Sequence, residues 1–139
     1  MQIDGSSKPL YHAAAAFAAG HVLAIEEASV QLLMLAGMKR AEAIRALLHL
    51  TRQVLDNFER LGPRAAWTGP LARGDFGVVA SHLSAMRRLP AEFLTAYTAL
   101  NDLATLVLSS EPSGMRAGWN ENSNNSRRRA KAKFAGGKH

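Results

Sequence analysis

From Leu10 to Leu35 the apolar residues return every three or four positions: Leu10, Ala14, Phe17, His21, Ile25, Ala28, Leu32 and Leu35. That step places them on one face of a helix, and no stretch of the chain alternates in the two-residue period a half-buried strand requires. Pro9 suits a first helical turn, with Ser7 as a candidate N-cap. Gly37, in "AGMKR", suits a left-handed stop. A second stripe runs from Lys39 to Leu61 through Ala41, Ile44, Leu47, Leu48, Thr51, Val54, Leu55, Phe58 and Leu61. Asp75 is placed to cap a third helix with Val78, Val79, Leu83 and Met86 inward. Pro90 opens a fourth, with Phe93, Leu94, Tyr97, Leu100, Leu103, Ala104 and Val107 inward. The expectation is an all-α domain of about four helices, two of them long, in a bundle. Lone helices are marginal in water, so these stripes need partners.

Between the second and third helices lies "RAAWTGPLARGD" (64–75), flanked by Gly62 and Pro63. Its prolines and glycines make a stiff, twisted elbow. Two readings of Thr68-Gly69-Pro70 stay open: a ligand-facing turn, or a turn with Pro70 starting a short helix. "RGD" at 73–75 reads as a helix start, and Trp67 as an apolar anchor.

Charge locates the remaining segment. The net charge is +6, but residues 1–108 hold ten Lys/Arg against nine Asp/Glu, while residues 109–139 hold seven against two. The basicity belongs to the tail. "SSEPSGMRAGWNENSNNSRRRAKAKFAGGKH" carries few apolar residues and is expected to be a disordered basic tail over 109–139. Phosphate neutralisation by "RRRAKAK" would give non-specific nucleic-acid binding at most; a solvated tail is the simpler reading. Cysteine is absent, which removes disulfides and thiolate chemistry and fits a reducing, cytoplasmic location. The longest nearly apolar run, "AAAAFAAGHVLAI" (13–25), is too short for a membrane span, and Asp4 argues against a signal peptide. The histidines have no i, i+4 partner with a carboxylate, so no metal site is expected. His21, His49 and His82 read as partly buried side chains with one hydrogen bond each.

Two motifs in order, "KPLYHAAAAFAAG" (8–20) and "LGPRAAWTGPLARGD" (61–75), carry a resemblance. The chain resembles, over roughly residues 3 to 108, a helical domain of unknown function that follows the NADP-binding Rossmann domain in certain bacterial oxidoreductase-like proteins. These are related to pyrroline-5-carboxylate reductase and 6-phosphogluconate dehydrogenase. Family members read like "YHAAAVFASN" and "LTGPIARGD"; this chain has Gly20 where the usual Asn stands, and Leu71 in the second motif. The resemblance implies a 6-phosphogluconate dehydrogenase C-terminal-domain-like fold, with residues 1–8 as an interdomain linker remnant and 9–108 as a substrate and dimerisation domain. It implies a cleft facing the cofactor domain, with His12 as the catalytic candidate and Tyr11, Thr68, Gly69 and Pro70 as substrate-binding candidates. A hydrogen-bonded histidine at a helix start is the alternative for His12. NADP is implied as the cofactor, but no G-x-G-x-x-G follows a strand, so this chain alone is expected to bind none and to be inactive. A homodimer is expected, with the Rossmann domain as cognate partner. The alternatives are a helical interaction module without catalysis and a basic-tailed nucleic-acid binder.

Overall fold

The computed structural model describes residues 4–121, and every element among them is a helix or a turn. In order these are a 3-10 turn Gly5–Ser7, α1 (Lys8–Ala16), a π-helical segment Phe17–His21, α2 (Val22–Leu35), α3 (Arg40–Leu61), α4 (Pro63–Ala66), α5 (Phe76–Met86) and α6 (Ala91–Leu108). Residues 112–121 are helical as well. The all-α class is as the sequence implies; α4 and the 112–121 stretch raise the count above four. The chain divides into two compact units, Met1–Gln53 and Val54–His139, and the division falls inside α3.

In the first unit, the 3-10 turn runs straight into α1. Ser7 sits at the cap position, but its side chain makes no capping bond; its N–H instead donates to the Asp4 carbonyl at 2.9 Å. Gly5–Leu35 is one 31-residue helical run, and its most apolar 18-residue window has a mean hydropathy of 1.2. By length and composition it could cross a membrane, although the sequence's longest uninterrupted apolar run is shorter. The π segment "FAAGH" contains Gly20, the weakest helix former of its five residues. One extra residue per turn there rotates the following face by about 100°. The Leu10–Leu35 stripe therefore does not persist as one buried face. Burial centres on Val30, flanked by half-buried Glu26, Glu27, Ala28, Ser29, Leu32 and Leu33. Leu10, Phe17 and Leu23 are exposed.

Gly37 takes the left-handed stop, with φ 98°. Across that turn, Arg40 Nη1 and Nη2 donate to Glu27 Oε1 and Oε2 at 2.9 and 2.7 Å, and the Thr51 hydroxyl donates to Glu26. Arg40 holds the Glu27 carboxyl below its ordinary value, with a smaller contribution from Gln31. A carboxyl depressed on folding stabilises above its unfolded pKa, and that stabilisation is lost as pH falls through the folded value. Both side chains are about half exposed, so solvent screens the pair. Arg40→Ala is expected to return the Glu27 titration, followed by NMR, toward the ordinary carboxylate range with little loss of stability.

In the second unit, Val79 and Met86 of α5, Ala66 of α4 and Thr105 of α6 are buried. The inward face of α6 differs from the expected one: Thr105 is buried, while Leu100, Leu103 and Val107 are exposed. Val78 is exposed too. Residues 112–121 correct the expectation of disorder from 109. Thr105 Oγ1 donates to Met115 Sδ at 3.7 Å, and the Phe76 and Trp119 ring centroids lie 6.3 Å apart. Gly118 admits Phe76: a Cβ on it would lie 2.5 Å from Phe76 Cε2. Pro112 opens the stretch, and Met115 and Trp119 sit four residues apart on one face. This is enough local pattern for a helix once Phe76 and Thr105 supply partners. The expected tail beyond residue 121 lies outside the described residues. Gly118→Val is expected to displace the stretch from Phe76 and raise the quenchability of Trp119 fluorescence, with the helical signal of the remaining chain retained.

Candidate functional site

The elbow begins where Gly62, at φ 81°, ends α3, and Pro63 starts α4. Ala66 is buried and Trp67 half-buried, which anchors the near side of the elbow. Beyond them the backbone closes on itself. Arg73 N–H donates to the Gly69 carbonyl at 3.3 Å, Gly74 N–H to Leu71 at 3.0 Å and Asp75 N–H to Pro70 at 2.8 Å. Gly69 and Gly74 carry positive φ, which lets the chain turn this tightly. Asp75 sits at the N-cap position of α5, as its sequence context implies. Its carboxylate does not cap, however; it accepts from Arg73 Nε at 3.2 Å. The "RGD" tripeptide thus pairs with itself at a helix start.

Thr68 is exposed on this elbow, with Gly69 and Pro70 half-buried beside it. These three are together. Tyr11 and His12 are also together, on the second turn of the first helical run, with ring centroids 5.8 Å apart and both side chains exposed. The two groups belong to different units, one before Gln53 and one after Val54. Gly20, in the place of the usual Asn, lies in the π segment.

His21, His49 and His82 are exposed, not partly buried. His21 meets Phe17 edge to face at 4.9 Å. His82 of α5 does hold one hydrogen bond: its Nδ1 lies 2.8 Å from the Tyr97 hydroxyl of α6. The phenol donates where Nδ1 carries no proton and accepts where Nδ1 is the protonated nitrogen. Burial pushes the Tyr97 hydroxyl above its ordinary value; the Asn101 side chain works the other way. The Asn101 amide nitrogen is buried and close enough to favour a phenolate, yet forms no hydrogen bond of ordinary geometry. This pair was not legible in the sequence, because fifteen residues and the 87–90 turn separate its members. A phenol whose pKa rises on folding stabilises below its unfolded value and loses that contribution as pH rises through the folded one. Tyr97→Phe is expected to cost about 1 kcal/mol in denaturant unfolding at neutral pH. It should also remove part of the stability loss seen above about pH 10.

Among the described residues no group of three or more His, Asp or Glu is placed to hold a metal ion. A dinucleotide cradle needs a strand feeding a glycine-rich turn and a helix. The described residues contain no strand and therefore no cradle of that kind.

What the geometry defines is an all-helical protein with an anchored elbow that exposes a threonine beside a tight, half-buried glycine–proline turn. A sequence profile of one family, a domain of unknown function (DUF2520), matches residues 1–103. The chain belongs to that family. No curated protein and no solved structure matches it significantly.

Proposed function

We propose that this chain supplies the substrate-side and dimer-forming half of a cytoplasmic NADP-dependent oxidoreductase, acting with a nucleotide-binding domain that the described residues do not provide. The observation that carries this reading is the elbow. Ala66 is buried and fixes it, while Thr68 is exposed beside the half-buried Gly69-Pro70 turn, as suits a wall closing on a second domain. In this reading Thr68 hydrogen-bonds substrate and Gly69 and Pro70 shape the wall. Tyr11 and His12 belong to the other unit; the family resemblance alone makes Tyr11 a substrate-contact candidate and His12 a proton-transfer candidate, independently of how the units are arranged. The exposed Leu10, Phe17 and Leu23 support the dimer, since large apolar side chains left open along one helical run are a common mark of an interface.

The 139-residue chain mixed with NADPH and a panel of small carbonyl and imine compounds is expected to transfer no hydride. Joined behind a nucleotide-binding domain of the related oxidoreductases, it is expected to gain activity that His12→Ala lowers by about 100-fold. Hydride transfer by the chain alone, or activity in the fusion that is indifferent to both His12→Ala and Thr68→Val, would contradict the proposal. The same exposed apolar side chains favour a second reading, a helical interaction module without catalysis. It predicts a stable dimer and an inert fusion.

A further inference from the structure

An open cleft of about 200 Å³ lies in the unit from Val54 onward, between the elbow and the start of the 112–121 helix. Its lining is of two kinds. Arg64, Ser109 and Ser110 bring a cation and two hydroxyls; Trp67, Leu108 and Met115 bring an aromatic face and two flexible apolar chains. Arg64 makes no ion pair among the described residues, where guanidinium pairs are formed by Arg40 and Arg73. Ser109 is only 9% exposed. Its Oγ accepts the Glu111 backbone N–H at 3.0 Å, so its own proton points elsewhere, and it donates to no acceptor among the described residues. A buried hydroxyl with an unused donor is costly unless something accepts from it. An unpaired guanidinium with hydroxyls beside it is the recognition chemistry of a carboxylate. The volume equals that of about seven waters.

We infer that this cleft binds a small monocarboxylate with an apolar body, its carboxylate held by Arg64 and Ser109 and its body against Trp67, Leu108 and Met115. Four of the six residues named lie beyond Leu103. The site therefore rests largely on residues outside the 1–103 match and does not depend on the oxidoreductase reading.

The test is an NMR titration of the full chain with hexanoate and, separately, with hexan-1-ol. Amides of residues 109 and 110 and the indole N–H of Trp67 report the binding. Hexanoate is expected to shift them saturably with a Kd of about a millimolar. Hexan-1-ol and the Arg64→Gln variant should each weaken binding about tenfold or more, and Arg64→Lys should fall between. Arg64 is exposed, so Arg64→Gln keeps the fold; an unchanged amide dispersion verifies that. Ser109→Ala, which also removes a local backbone contact, should weaken hexanoate binding while leaving the Trp119 indole resonance in place. Equal shifts from the acid and the alcohol, an unaltered affinity in Arg64→Gln, or no saturable shift at Trp67 would each overturn the assignment.

Discussion

Replacing Val79 with Asp is expected to unfold the unit from Val54 onward. Val79 is 0% exposed and is the largest fully buried side chain described. An ionised carboxylate there has no partner, and burying such a charge costs several kcal/mol. Core changes of this kind exceed about 4 kcal/mol, a large share of the 5–15 kcal/mol that holds an ordinary domain together. The loss should appear in thermal melts and in collapse of the amide spectrum of α5 and α6. Val78→Asp is the matched control. Its neighbouring side chain is exposed, so the change should cost no more than about 0.5 kcal/mol. Equal destabilisation by the two would mean that α5 faces the other way.

The second large effect concerns association. Leu23 is 71% exposed on the first helical run, and Leu23→Glu replaces it with a good helix former, so the single chain should be as stable as before. In a two-fold dimer the same change appears on both copies. Covering a leucine contributes about 1.5–3 kcal/mol, so the pair of changes should weaken dimerisation by at least 100-fold. Light scattering across a concentration series reads this. A variant that dimerises like the parent would place the interface elsewhere.

Much of the fold is legible in the residues, for identifiable reasons. The helix α3, the glycine stop at residue 37 and the Gly62-Pro63 break all rest on local chemistry: periodicity, positive φ and a missing N–H. The expected inward face of α3 is not borne out: Ala43 is buried, while Leu48, Val54, Leu55, Phe58 and Leu61 are exposed. Three features are not legible. The first helical run turns its face at the π segment, and a 3.6-residue period cannot show an inserted residue. The 112–121 helix is stabilised by distant partners, Phe76 and Thr105, so its polar surroundings hide it. The His82–Tyr97 bond likewise depends on how α5 and α6 pair. In the elbow, Thr68, Gly69 and Pro70 stand out in the sequence as a turn. The meeting of Arg64 with Ser109 does not, because the cleft joins the elbow to a stretch whose composition reads as tail.

Both readings of the chain share one central claim, that the exposed helix faces form an interface. The most direct measurement is the mass of the full chain in solution at tens of micromolar, well above the dissociation constant of an obligate pair. The account predicts about twice the 15.0 kDa of one chain. A single species of 15.0 kDa across that range, with Leu10, Phe17 and Leu23 still open to solvent, would contradict it.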